Sequence, residues 1–280
     1  MIYLLQREKH DLDVDVLTLK EELKNQKIKH QYVELSLEQL KTFDFKKFFA
    51  ENIQDIIPVG SLEFVQEYLR INYNITKMNP IEIPNELRLP HLLMRKYQIL
   101  HKEDVRKITG RNFLKYASKL KEYSYLGDVQ RLVQNNDILE GIYVVSEELP
   151  LIAEYRIFVF FDEVKGIQFY DGDPLRVLTS ENIKKVREMI LRYSTNEHRP
   201  NAYTLDVGVF KGENKQEVIP IEIHPWCSVG LYGCTGGFLP EAYAEGFKWY
   251  VHHNTPLVTD IPRRNPEEEL SQTLMSIICR

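Results

Sequence analysis

Short apolar runs alternate with stretches of helical period over the first part of the chain. Met1–Gln6 reads as a strand, and Asp13–Gln26 follows with Val16, Leu19 and Leu23 at helical spacing, a stripe that Leu12 extends backwards. Lys29–Leu35 alternates like a second strand, Leu37–Asn52 carries a helical pattern, and Asp55–Val59 is a third short apolar strand. Gly60 and Ser61 mark a turn and an N-cap for a helix over Leu62–Tyr73. Strands that alternate with helices predict a small parallel sheet over the first ~75 residues.

The pattern then changes. Pro80, Pro84 and Pro90 punctuate the stretch from Met78 to Pro90, which places a boundary near residue 90. His91–Leu100 reads as a short basic helix carrying Arg95 and Lys96, Arg111–Tyr116 as a strand and Gly127–Val133 as a helix. Three strands follow in close succession, Gly141–Glu147, Ala153–Phe161 and Gly166–Asp171, which predicts an antiparallel sheet and α+β character. Ser180–Tyr193 is a helix with Ser180 as cap and Ile183, Val186, Ile190 and Leu191 as its apolar stripe. Two β-branched runs, Tyr203–Phe210 and Glu217–His224, flank the polar segment Lys211–Gln216 and predict a hairpin. A Gly-rich loop, a helix over Pro240–His253 and a Pro- and Glu-rich tail complete the chain, with a short helix expected around Glu267–Ile278.

The hairpin carries the first chemical signal. If it is symmetric about Asn214, Asp206 lies directly opposite Glu222, and His224 projects from the same face. Like charges opposite each other destabilise a ladder. A cation between them is therefore expected, and a hard divalent ion suits carboxylate oxygens. The plainer alternative is a solvated acidic face, but Leu205, Val207, Ile221 and Ile223 place both strands in the protein body.

Composition narrows the class. The chain has 280 residues, 43% hydrophobic and 28% charged, enough for one large domain or two small ones. A net charge of -5 and a pI of about 6.0 argue against a broad, sequence-independent nucleic-acid surface. The N-terminus has no signal-peptide pattern, and no apolar run reaches the length of a bilayer span. Three cysteines (Cys227, Cys234, Cys279) give no disulfide framework. A cytoplasmic α/β protein is expected, with no nucleic-acid or membrane partner.

No P-loop, Rossmann fingerprint, G-x-S-x-G or H-E-x-x-H occurs. What remains is a set of charges on predicted strands. Lys115 closes an apolar strand, with Lys119 and Lys121 just beyond; such a lysine either holds phosphates as a point charge or belongs to a solvated basic face. Glu154 and Arg156 share one face of a strongly apolar strand, either as a surface ion pair or, for the arginine, as a phosphate clamp. Glu147 ends its strand where the chain could offer backbone groups to adenine and a carboxylate to ribose hydroxyls. His224, Cys227 and Cys234, spaced H-x-x-C-x6-C, form a competing zinc reading, although no common structural zinc site has that spacing.

In order, these segments resemble the ATP-grasp superfamily: FLKYASKLKEY, a strand leading to VVSE, EYRIFVF, a helix, YTLDVGV and IEIHPWCSVGLYG. The resemblance is strongest to the short stand-alone ATP-grasp proteins of bacteria and phages, through Pro58–Val65 and the Gly230–Gly233 G-x-Y-G segment, and it covers roughly Pro58 to Tyr250. It implies an α/β N-terminal subdomain over residues 1–90, an ATP-grasp α+β fold with a mostly antiparallel sheet over 91–255, and a tail over 256–280. It further implies an ATP-dependent carboxylate–amine ligase that works through an acyl phosphate, with ATP and Mg2+ as cofactors and with a small molecule, peptide or protein as acceptor. Lys115 and Lys121 would contact ATP phosphates, Glu147 would lie at the adenine and ribose hinge, and Arg156 would face the transferred phosphoryl group. Arg156 and Lys121 stand as the catalytic pair, and Asp206, Glu222 and His224 as the metal set. The family commonly has asparagine at the position of His224, and imidazole is a poorer magnesium ligand than an oxygen; His224 is therefore open to a substrate role. The alternatives are a nucleotide-binding module without turnover and a zinc hydrolase.

Overall fold

The computed structural model describes residues 1–8, 13–26, 31–49, 55–119, 123–212 and 215–254. The N-terminal sheet is parallel, in the order β2-β1-β3, from β1 (Ile2–Gln6), β2 (Gln31–Leu35) and β3 (Ile56–Val59). α1 (Val14–Asn25) begins where the Asp13 carboxylate accepts the Asp15 N–H, so Asp13 caps the helix rather than joining it. The pattern over Leu37–Asn52 splits into α2 (Leu37–Thr42) and α3 (Phe45–Phe49). Phe43 turns extended at ψ 125° and sets its ring 4.9 Å from those of Phe45 and Phe48; residues 50–54 lie outside the described set. α4 (Leu62–Tyr73) is capped by Ser61 as expected and is closed by Asn74 in the left-handed region.

The next segment holds two strands that the periodicity does not predict. α5 (Pro90–Leu93) is one turn, ended by Met94 at φ 52°. The basic helix expected over His91–Leu100 is therefore replaced beyond Met94 by extended chain, β4 (Tyr97–His101), which pairs with β7 (Ile142–Ser146). After α6 (Lys102–Val105) and β5 (Arg111–Tyr116) comes β6 (Ser124–Asp128), which includes the Gly127 expected in a helix. α7 (Val129–Asn135) starts only after Asp128, whose carboxylate accepts the Gln130 N–H. These strands form an antiparallel sheet in the order β4-β7-β5-β6. Leu114, Tyr143 and Val145 pack against Val105, Val129 and Leu132 of the helices. Strand alternation sends Phe113, Lys115, Val144 and Ser146 to the opposite face.

The larger antiparallel sheet has the order β11-β10-β8-β9, from β8 (Leu151–Phe160), β9 (Glu163–Gly172), β10 (Ala202–Lys211) and β11 (Gln216–Pro225). α8 (Ser180–Tyr193) covers one face, with Val186, Met189 and Ile190 against Ile157, Val159, Leu205 and Val207. Its cap is Thr179 rather than Ser180, because Thr179 and Asn182 complete a reciprocal capping box. On the other face Phe158 and Trp226 join the core of the N-terminal sheet. α9 (Leu239–Asn254) lies across that junction, and the tail helix expected around residues 267–278 falls outside the described residues. Among the described residues no helix is long and apolar enough to cross a membrane.

Gly246 sets how closely α9 approaches β11. A Cβ there would lie 2.4 Å from Trp226 Cβ and 2.7 Å from Trp226 N, and backbone cannot yield as a flexible side chain can. Gly246→Ala is expected to cost about 1–3 kcal/mol through overpacking, despite the higher helix propensity of alanine, and a urea melt measures it.

Candidate active site

The site begins with strand register. Asp206 pairs with Glu222 and Thr204 with His224, as a hairpin centred on Asn214 requires. On its other side Asp206 pairs with Arg156, so Arg156, Asp206 and Glu222 form one row across β8, β10 and β11. One step nearer the turn Val207 pairs with Pro220, which leaves Ile221 as an extra residue in β11. Such a bulge re-aims the strand, and it accommodates a proline that lacks a ladder donor.

The protein's own cations answer the repulsion in this row. Arg156 Nε and Nη2 fork onto Asp206 Oδ1 and Oδ2 at 2.8 and 2.7 Å, and Nη1 donates to Gly230 O at 3.1 Å. The Tyr170 and Tyr232 rings flank the guanidinium at 5.6 and 5.1 Å. His224 Nε2 lies 3.0 Å from Glu222 Oε2 and 3.8 Å from Asp206 Oδ2. Lys115 Nζ, from the smaller sheet, donates to Glu222 Oε1. Burial works against the Arg156 charge, but the Asp206 carboxylate outweighs it and holds the pKa above its ordinary value. Burial likewise pushes the Glu222 carboxyl up, and His224 and Lys115 together bring it well below the usual carboxylate range.

Lys115 and Glu222 also line a cleft of about 370 Å3 between the two antiparallel sheets. Phe113, Leu126, Val144, Ile219 and Ile221 supply its apolar wall, and Arg95, Glu82, Glu147 and Glu154 its polar one. Glu147 stands at the exit of β7; its N–H donates to Lys96 O at 3.0 Å and its carboxylate accepts the Lys96 N–H at 3.3 Å. It shares the cleft but not the charge cluster. Glu154 does not pair with Arg156; it accepts from the Tyr170 hydroxyl, and burial raises its pKa. Lys121 lies outside the described residues. A second cavity, about 190 Å3, opens at the carboxyl ends of β1 and β3 and is lined by Gln6, Asp13, Asp15, Ser61, Ser228 and Gly230 among others.

Three contributors escape the sequence. Arg95, read as part of a basic helix, donates from Nη2 to Pro220 O at 2.9 Å, and its buried Nη1 has no partner among the described residues. Burial lowers its pKa to about 10. Tyr170 and Tyr232 brace Arg156, and for Tyr232 the only signal is its place in the Gly230–Gly233 segment. The zinc grouping does not form. Among the described residues His224 clusters with Asp206 and Glu222, with one ligand atom from each within 4.8 Å of the others. Cys227 and Cys234 are buried elsewhere, and desolvation pushes both thiols up, Cys234 to about 11.

Asp206→Asn leaves the buried Arg156 without a counter-charge, so it is expected to lower stability by about 3 kcal/mol in a denaturant titration. The Glu222 carboxyl titrates below its unfolded value of 4.5, so its contribution is complete above that pH and is lost as pH falls through the folded value. Glu222→Gln should flatten the acid limb of the stability–pH curve, and an unchanged limb would contradict the charge network.

No curated protein matches this sequence. Among solved structures the chain is similar to D-alanine–D-alanine ligase from Bacillus anthracis complexed with ATP, at 13% identity over 91% of this chain and 95% of that one, with a TM-score of 0.47. It is similar to a RimK domain ATP-grasp protein from Sphaerobacter thermophilus at 14% identity over 91% and 99%, TM-score 0.46. It is also similar to the macrocyclase MdnC from Microcystis aeruginosa, bound with precursor peptide MdnA, at 13% identity over 88% and 98%, TM-score 0.45. A family profile described as an ATP-grasp domain, the second family of its clade, matches residues 95–239, just over half of the chain, and the protein belongs to that ATP-grasp family.

Proposed function

We propose that this protein is an ATP-dependent ligase that joins a carboxylate to an amine through an acyl phosphate. The observation that carries the reading is the row Arg156–Asp206–Glu222, with His224 and Lys115, on the wall of a cleft between two antiparallel sheets. Phosphoryl transfer asks for positioning and charge neutralisation more than for covalent chemistry, and this row supplies both.

The donor set fits Mg2+. Asp206 and Glu222 offer hard oxygens, and an ionised carboxylate has enough lone pairs to face an ion while Arg156 or Lys115 holds it. His224 takes the third position or serves the substrate, since its nitrogen is the weaker match. Bound there, the ion supplies charge neutralisation to the phosphates. Lys115 reaches the phosphate oxygens of a nucleotide in the cleft, and Lys121 is assigned the same task from the family resemblance. Phe113, Val144 and Ile219 offer apolar surface to adenine, with Glu147 beside the ribose. Arg156 faces the transferred phosphoryl group. A carboxylate oxygen attacks the terminal phosphorus while its bond to the bridging oxygen breaks and ADP leaves. The amine nitrogen then attacks the acyl carbon, the bond to phosphate breaks, and the nitrogen gives up a proton. The second cavity, which borders the Gly230 carbonyl that Arg156 holds, is the place assigned to the acceptor; Asp13 and Asp15 favour an ammonium there.

Mg-ATP at 100 times its dissociation constant should add about 2.7 kcal/mol of stability and raise the melting temperature. No rise with ATP, ADP or a non-hydrolysable analogue, with magnesium or manganese, would remove the nucleotide assignment. For the reaction, hydroxylamine supplied with pools of amino acids and short peptides should trap the acyl phosphate as a hydroxamate, with ADP accumulating in step. Lys115→Ala should lose most of that product. Release of AMP and pyrophosphate instead would mean adenylation and overturn the acyl-phosphate route.

A further inference from the structure

Arg156 is held from two sides, and one of them is not part of the sheet. Asp206 fixes the guanidinium in its plane, while the Gly230 carbonyl and the Tyr232 ring come from the loop that follows β11. Ser228, Tyr232 and Gly233 in that loop have φ of 55°, 49° and 83°. Non-glycine residues keep such conformations only where the surroundings enforce them.

The enforcement comes from α1. Asp15 Oδ2 accepts the Leu231 N–H at 2.9 Å, Glu22 Oε1 accepts the Gly236 N–H at 3.1 Å, and Gln26 Nε2 donates to Gly237 O. Positions 15, 22 and 26 fall along one side of the helix, so a single α1 face fastens the loop at both ends. Asp15 holds the end next to Gly230. Asp15 and Gly230 also line the second cavity together, so a molecule placed there touches both ends of the connection.

We propose that Asp15 is a positioning residue for phosphoryl transfer: through the Leu231 N–H it fixes the loop that sets Gly230 and Tyr232 on the Arg156 guanidinium. The inference rests on the assignment of Arg156 to the transferred phosphoryl group. It makes the N-terminal α/β layer part of the ATP chemistry. Without Asp15, Arg156 stays forked on Asp206 but swings about that fork, so contacts to a terminal phosphate weaken while those to ADP do not.

Calorimetric titration of the full chain with Mg2+ and either ADP or AMP-PNP tests this without knowledge of the substrate. Wild type should prefer AMP-PNP. Asp15→Ala should reduce that preference about tenfold, the worth of one charge-assisted hydrogen bond, with ADP affinity unchanged. Asp15→Asn keeps a carbonyl acceptor for Leu231 N and should retain the preference, whereas a general structural role would not be rescued so selectively. Glu22→Ala frees only the far end of the loop and should also retain it. If Asp15→Ala does not fold, Asp15→Ser, polar but too short to reach Leu231 N, gives the same readout. Arg156→Lys separates the two levels of the inference. If wild type has no preference, or Arg156→Lys keeps it, the assignment of Arg156 fails and the role of Asp15 with it. If Arg156→Lys loses the preference while Asp15→Ala and Asp15→Ser keep it, the assignment stands and the positioning role is overturned.

Discussion

Two carboxylates placed opposite each other in an antiparallel ladder repel, and the centre of this structure is an answer to that repulsion. Asp206 and Glu222 sit in adjacent strands with partly buried side chains, so water screens them poorly. Their counter-charges come from three different places: Arg156 from the neighbouring strand, His224 from two residues further along β11, and Lys115 from a different sheet. The Lys115–Glu222 pair therefore does more than neutralise. It ties the smaller sheet to the larger one across the cleft, so the separation of the two walls depends on the same charges that would meet a nucleotide. Removing any one member leaves another buried charge unpaired, which is why the row behaves as a unit.

Local constraints make part of this legible in the sequence. A hairpin's register follows from the length of its turn, so the pairing of Asp206 with Glu222 can be read without any long-range information. The N-terminal sheet is legible for a similar reason. Its short apolar strands are bounded by caps at Asp13, Ser36 and Ser61 that stop one element and start the next. β4 and β6 carry no such signal. Tyr97–His101 alternates between half-buried and exposed positions rather than between apolar and polar ones, and the break before it falls at Met94, which is not a turn-forming residue type.

Partners far apart in the chain are not legible. The sequence singles out Arg156 as a cation in an apolar strand, but its fork onto Asp206 needs the alignment of β8 with β10, and bulges in both of its ladders shift that alignment. Lys115 and Glu222 are separated by 107 positions, and Asp15 and Leu231 by 216. Candidate charges can be nominated from residue type and local pattern; their partners are set by packing, which composition and periodicity do not encode. The same limit explains Arg95, whose side chain matters because of where Pro220 O lies and not because of the basic residues beside it.

The bulge at Ile221 shows how a single extra residue decides what the cleft can do. On the turn side of β11, Val218 packs toward α8 and Ile219 lines the cleft. Beyond the bulge the parity is reversed: Ile223 packs toward α8, while Glu222 faces the cleft and shares its cluster with His224. A regular strand would have continued the odd positions into the cleft and sent Glu222 and His224 into the apolar layer of Leu205, Val207 and Ile157. Two ionisable groups there would have had no partners, at a cost of several kcal/mol each. With one residue inserted, the apolar wall formed by Ile219 and Ile221 runs directly into the charged wall that begins at Glu222. An apolar surface and a charged one thus lie end to end on one strand, which is the arrangement a ligand with a flat ring at one end and phosphates at the other requires.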